Sequence, residues 1–133
     1  MILVDSSVLI DVIEKKVGWY YVCADALHLA AQKDTLIVNA MIYAEVSRSY
    51  DTPARMDEFL ASTGILWRDI PKTAAFAAAR AHDRYRALGG QRETTLPDFF
   101  IGAHAKAEGC ALLTRDPKRI RTYFPDVTLI CPE

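Results

Sequence analysis

The sequence predicts an α/β fold, a mainly parallel sheet with helices on both faces. Three observations predict it. Short apolar runs, Ile2-Leu3-Val4, Leu36-Ile37-Val38 and Ala111-Leu112-Leu113, read as buried strands. Longer helical stretches alternate with them, the order that builds parallel sheets. Residues that cap or break helices stand at the junctions between the two.

In chain order, Ile2–Val4 is the first strand. Ser7 to Glu14 follows as a helix with Val8, Leu9, Val12 and Ile13 on one face. A second helix covers Tyr20 to Gln32, where Ala24, Leu27, Leu29 and Ala31 supply apolar positions. Leu36–Val38 is the next strand, and Asn39 caps a helix from Ala40 to about Ser49. Pro53 opens a helix reaching Ser62, and Ile65-Leu66-Trp67 is a short strand. Thr73 to Leu88 is an alanine-rich helix ended by Gly89-Gly90. Thr95-Leu96-Pro97-Asp98 has the outline of a capping box, with Thr95 as cap, and its helix runs to Glu108 before Gly109 stops it. Ala111–Leu113 is a strand, Asp116-Pro117 starts a short helix, and Val127 to Ile130 is the last strand.

The chain has 133 residues, enough for one domain spanning 1–133 with a real core. An apolar content of 51% excludes a disordered chain. The net charge of −1 means that any nucleic-acid site is local, built on a basic patch or on a metal that offsets its carboxylates. Cys23, Cys110 and Cys131 are odd in number and lack CxxC spacing, which argues against a disulfide framework or structural zinc and for small core residues in a reducing compartment. The first residues lack the basic and long apolar segments of a signal peptide, and no run approaches the roughly 20 apolar residues of a membrane span. The expectation is a soluble, cytoplasmic protein with no membrane contact.

In open parallel sheets, ligands bind beyond the carboxyl ends of the strands. Four carboxylates occur there. Asp5 directly follows the first strand, Glu45 lies on the second turn of the helix after Leu36–Val38, Asp98 is in the first turn of its helix, and Asp116 comes three residues after Leu113. Each also has an ordinary structural role: Asp5 and Asp116 as helix caps, Asp98 in a capping box, Glu45 on a helix surface. Together they are harder to explain this way, because converging carboxylates in a partly dry cleft repel one another unless a cation intervenes. An all-oxygen set without HxxxH or CxxC partners points to magnesium or manganese rather than zinc. Such ions bind phosphate, activate water and stabilise a leaving oxygen, in the fuller version as a pair about 4 Å apart. That chemistry suits phosphodiester hydrolysis.

The segments around these acids, Ile2-Leu3-Val4-Asp5-Ser6-Ser7-Val8-Leu9-Ile10, Tyr43-Ala44-Glu45-Val46, Leu96-Pro97-Asp98-Phe99-Phe100-Ile101-Gly102-Ala103-His104-Ala105 and Leu112-Leu113-Thr114-Arg115-Asp116-Pro117, resemble those of PIN-domain proteins, and more narrowly the VapC toxins of type II toxin–antitoxin pairs. They occur in the family's order over nearly the whole chain. The resemblance implies a PIN-like three-layer α/β/α sandwich with Asp5, Glu45, Asp98 and Asp116 at one catalytic metal site. It implies Mg2+- or Mn2+-dependent endonucleolytic cleavage of RNA, inhibition by a cognate antitoxin, and commonly a homodimer. By position, Asp5 and Asp98 are metal ligands. Asp116 completes the shell of the first metal directly or through water, and Glu45 binds a second metal or orients the attacking water. Ser7 and Thr114 match small hydroxyl residues that position those ligands.

Around this set, Arg48 lies on the same helix face as Glu45, and Arg115 flanks Asp116 with Lys118, Arg119 and Arg121 following. Arg48 and Arg115 are the candidate RNA-phosphate contacts. Trp19, Tyr20 and Tyr21 fall where the resemblance is weakest, and packing, base stacking and antitoxin contact are all open for them. His28, His82 and His104 are scattered, and none forms a Ser-His-Asp or Cys-His arrangement. Two other functions remain as alternatives. One is a non-catalytic PIN-fold module that binds RNA or antitoxin. The other is a phosphotransferase with Asp5 as nucleophile, which commonly needs a second Asp where Ser7 stands.

Overall fold

The computed structural model describes residues 1–90 and 96–133. Its elements are β1 (Ile2–Val4), α1 (Ser6–Ile13), α2 (Tyr20–Lys33), β2 (Leu36–Val38), α3 (Ala40–Ser47), α4 (Pro53–Thr63), β3 (Leu66–Trp67), α5 (Lys72–Ala87), α6 (Leu96–Glu108), β4 (Ala111–Leu113), α7 (Lys118–Tyr123) and β5 (Leu129–Ile130). The five strands form one all-parallel sheet in the order β3-β2-β1-β4-β5. Helices cover both faces, giving a three-layer α/β/α sandwich. No helix among the described residues is long and apolar enough to cross a membrane.

The strand order sets the position of the site. From β1 the chain builds outward through β2 to β3, then returns to place β4 on the other side of β1. The switch point therefore lies between the carboxyl ends of β1 and β4, where parallel α/β sheets open a crevice. The backbone N–H of Asp5 donates to the Leu113 carbonyl across this point at 2.9 Å. The three central strands are almost wholly buried, as their unbroken apolar runs require. β3 is an edge strand, and its Leu66 and Trp67 stay half exposed.

Local chemistry explains most helix ends. Asn39 Oδ1 accepts from the Ile42 N–H at 3.0 Å and caps α3. Thr52 caps α4 ahead of Pro53. Gly109 follows α6 with φ 64°, a left-handed conformation that glycine adopts without a Cβ clash. The expected Thr95 cap lies outside the described residues.

Several expectations need correction. Asp116 does not cap α7: the helix starts at Lys118 with Pro117 at the cap and no side-chain cap bond. α1 begins at Ser6, because Asp5 is already its N-cap and accepts from the Ser6 N–H. The buried stripe of α2 is Cys23, Leu27 and Ala30, while Leu29 and Ala31 face outward. The last strand is shorter than expected, at Leu129–Ile130. Cys23 and Cys110 are buried free thiols, but Cys131 is partly exposed.

α6 packs closely on α7, and Gly102 allows it. A Cβ at Gly102 would stand 2.5 Å from Cδ2 of the buried Phe124 and 3.0 Å from Cδ1 of Ile120. Gly102→Ala is therefore expected to cost about 1–3 kcal/mol through overpacking, read as a lower denaturation midpoint. An unchanged midpoint would mean that α7 yields without strain.

His104, fully buried on α6, ties the layers together. Asn39 spends its oxygen on the α3 cap, so its amide nitrogen donates to His104 Nδ1 at 3.0 Å. The ring proton then sits on Nε2, which donates to Glu108 Oε2 at 2.8 Å, and Arg68 holds Glu108 from the β3 side. The histidine thus anchors the cap of the helix that carries Glu45. It takes no part in the cleft.

Candidate active site

A cleft of about 660 Å³ opens at the switch point, and Asp5, Glu45, Asp98 and Asp116 all line it. They arrive from four separate segments: the end of β1, the second turn of α3, the first turn of α6 and the β4–α7 turn.

Asp5 is the most constrained. Its Oδ1 accepts from the Ser6 N–H at 2.9 Å, and its Oδ2 accepts from Ser7 Oγ at 2.9 Å and Thr114 Oγ1 at 2.7 Å. Burial raises its pKa above the ordinary 3.8 and the charge of Asp98 adds to this, against the lowering effect of the two hydroxyls and the N–H. Ser7 Oγ and Thr114 Oγ1 accept in turn from the backbone N–H groups of Arg115 and Asp116. The β4–α7 turn and the Asp5 carboxylate therefore fix each other.

Glu45 is half buried, and Ser6 Oγ donates to its Oε1 at 3.0 Å. Its pKa is raised first by burial and then by Asp5 and Asp98, with Ser6 and Arg48 opposing. Asp98 is also raised by burial, with Asp116 adding, although Arg119 Nη1 lies 2.5 Å from its Oδ2 and opposes the rise. Asp116 is exposed at the rim. Burial first, and neighbouring acids second, raise all three carboxyls in one cleft, a pattern that clusters at functional sites.

The residues present suit a hard divalent cation. The donors are all oxygen, Asp5 is already oriented by hydroxyls, and a cation would offset the charge of carboxylates that burial, and to a lesser extent one another, disfavour. Among the described residues no three acid, histidine or cysteine side chains are grouped so as to hold a metal ion by themselves.

The two candidate RNA-binding arginines lie apart. Arg48 is exposed at the C-cap of α3, outside the cleft lining. Arg115 borders the cleft, but its guanidinium pairs with the buried Asp11 carboxylate and stacks 4.4 Å over the Trp19 ring. Trp19 thereby packs against the site's supporting turn, while Tyr21 is exposed. Sequence reasoning gave no role to Ser6, Asp11 or Tyr85, and treated Arg119 as one of a basic run. Asp11 had a signal, since a carboxylate set between Ile10 and Val12 in an apolar helix face needs a buried partner. Ser6 carried none beyond its place beside Asp5.

The sequence profile of the PIN domain matches residues 2–125. The chain belongs to the PIN-domain family. A search of curated protein sequences gives no match. Solved structures share the fold at low identity. VapBC2 from Rickettsia felis, bound to a DNA fragment from its promoter, is similar with 20% identity, full coverage of both chains and a TM-score of 0.72. A toxin–antitoxin complex from Klebsiella pneumoniae has 22% identity, coverage of 100% of this chain and 98% of the other, and a TM-score of 0.70. FitAcB from Neisseria gonorrhoeae has 19% identity, coverage of 99% and 98%, and a TM-score of 0.67.

The raised carboxyls give this PIN domain a specific pH dependence. A raised carboxyl pKa means that the folded state binds the proton more tightly than the unfolded chain. Stability is then highest below that pKa and falls as pH rises through it. Asp34 and Glu108 are shifted the other way, so their contribution is lost only as pH falls below the ordinary range of 3.8–4.5. Between that range and neutrality, the melting temperature of the protein in EDTA is expected to fall as pH rises. Asp98→Asn should flatten the slope. A midpoint that climbs steadily with pH over this interval would contradict charge strain in the cleft.

Proposed function

We propose that this PIN domain is a metal-dependent endoribonuclease that hydrolyses RNA phosphodiester bonds as the toxin of a toxin–antitoxin pair, held inactive by a cognate antitoxin in the cytoplasm. The observation that carries this reading is the meeting of four carboxylates from four segments at the switch point, despite the repulsion between them. Family membership and the toxin–antitoxin complexes among the structural neighbours support it.

Asp5 and Asp98 would hold a Mg2+ or Mn2+ ion. Asp116 would complete its shell directly or through water, and Glu45 would bind a second ion or orient the attacking water. The ion supplies charge to bind the phosphate, acidify a water and stabilise the leaving oxygen. Ser7 and Thr114 keep the Asp5 carboxylate in one orientation, and Ser6 does the same for Glu45, so little reorganisation is needed when substrate arrives. Arg115 acts through the turn that it anchors to Asp11, and Arg48 tempers the charge of Glu45. The chain works as a homodimer in this proposal.

The test is to incubate the purified, antitoxin-free protein with total cellular RNA, with and without manganese or magnesium, beside Asp98→Asn. Discrete metal-dependent fragments that disappear with the variant are expected. A folded protein that cuts no RNA with either metal would favour the non-catalytic module. Cleavage surviving in EDTA and in the variant would remove the metal site from the mechanism.

A further inference from the structure

A hydrogen-bond chain outside the cleft joins the helices that carry Asp98 and Glu45. His104 of α6 and Asn39, the cap of α3, are both fully buried and meet at 3.0 Å. The two ends of the chain demand the same arrangement. At the outer end, Arg68 can only donate, and it holds Glu108 Oε1 at 2.9 Å. That bond keeps the Glu108 carboxyl below its ordinary pKa, so it is ionised and only accepts. His104 Nε2 therefore donates to Glu108 Oε2, at 2.8 Å. At the inner end, the Ile42 N–H takes Asn39 Oδ1 at 3.0 Å, so the amide nitrogen is what faces His104 Nδ1, which must accept. Reversing any one bond would set donor against donor somewhere along the chain.

The helix that this chain caps is short. α3 has 8 residues, too few to be stable alone, so its start depends on the cap and on packing. Without His104 the Asn39 amide nitrogen would be buried and unpaired, which costs more than the bond itself is worth. Asn39 escapes that cost by turning its side chain away, and the cap goes with it. We propose that His104 is a positioning residue for the carboxylate cluster: through Asn39 it fixes the start of α3, and so the place of Glu45 relative to Asp98 on its own helix. This rests on the nuclease function proposed above, in which Glu45 binds a second ion or orients the attacking water. His104 itself touches neither substrate nor metal.

Two substitutions separate this role from plain packing. In His104→Asn the amide oxygen takes the position of Nδ1 and still accepts from Asn39. In His104→Gln the amide reaches the position of Nε2, keeps Glu108 and loses Asn39. Helix propensity favours glutamine over asparagine, so a general structural effect predicts the opposite ranking. His104→Gln is expected to lower the single-turnover rate of metal-dependent RNA cleavage about 10- to 100-fold, with His104→Asn within about threefold of wild type. In a Glu45→Gln background His104→Gln should add no further loss, because the residue it acts through is already gone. Hydrogen exchange of the Ile42 amide, followed by NMR in EDTA, reads the cap without RNA. It should quicken about tenfold in His104→Gln and hold in His104→Asn. Asn39→Ala removes the other half of the bond, should match His104→Gln in both measurements, and serves where that variant does not fold. Unchanged Ile42 exchange, equal losses in the two His104 variants, or a full further loss in the Glu45→Gln background each overturn the proposal. Faster exchange with cleavage intact removes the positioning role and leaves the nuclease function standing. A wild type that cuts no RNA removes the nuclease function, and the exchange ranking then still decides whether His104 holds the cap.

Discussion

Asp5→Asn is expected to lower the rate of metal-dependent RNA cleavage by on the order of 10³-fold or more, measured as single-turnover cleavage with saturating manganese. Three donors converge on this carboxylate: the Ser6 N–H on Oδ1, and the Ser7 and Thr114 hydroxyls on Oδ2. The substitution removes the negative charge that a cation would bind. It also puts an amide group where one of those donors needs an acceptor. Ser7→Ala and Thr114→Val leave the charge in place and remove only one orienting bond each. Their expected loss is smaller, about 10- to 100-fold, and should be felt in metal affinity as well as rate. The ranking is the informative result. If Thr114→Val were as damaging as Asp5→Asn, the hydroxyl would itself take part in the chemistry. If Asp5→Asn stayed within a few-fold of wild type, Asp5 would not hold the metal.

Asp11→Ala is expected to have the largest effect on stability of any substitution outside the apolar core, about 3 kcal/mol, or roughly 10 °C in melting temperature for a chain of this size. The Asp11 side chain is only 4% exposed and that of Arg115 is 21% exposed, so removing the acid strands a largely desolvated guanidinium. Cys23 Sγ also approaches Asp11 Oδ2, at 3.7 Å, and burial together with Asp11 pushes its thiol pKa up to about 11. The thiol therefore stays neutral and donates. The effect should extend to activity, because Arg115 anchors the turn that carries Thr114 and Asp116. The double variant Asp11→Leu/Arg115→Met removes both charges at similar volume and should recover most of the lost stability. A double variant as unstable as Asp11→Ala would show that shape, not charge pairing, holds α1 to the β4–α7 turn. Thermal melts of the three proteins at one pH separate these outcomes.

Much of the architecture was legible along the chain because its causes are local. An apolar triplet between turn residues has few alternatives to a buried strand. Asn39, Thr52 and Pro53 satisfy or spare the free N–H groups of the helices they begin. The exposed edge strand was less legible, since Leu66 and Trp67 look like core residues until β3 is seen to have one neighbour. α2 was misjudged for a similar reason. Its apolar residues outnumber one face, and only packing on α1 decides that Cys23, Leu27 and Ala30 go inward. Asp116 looked like a cap because Pro117 follows it, but its N–H is taken by Thr114 Oγ1 and its side chain stands at the cleft.

By itself the sequence determined the fold class and placed four carboxylates near strand and helix ends, because secondary structure and capping depend on neighbours a few residues away. The tertiary structure alone decided the strand order 3-2-1-4-5, and with it the crevice between β1 and β4. It alone brought Ser6 to Glu45, Arg119 to Asp98 and Asp11 to Arg115. These partners are separated by 39, 21 and 104 positions. Which of them meet depends on how the sheet is wound and on where long, flexible side chains find an opposite charge, and no local pattern records either.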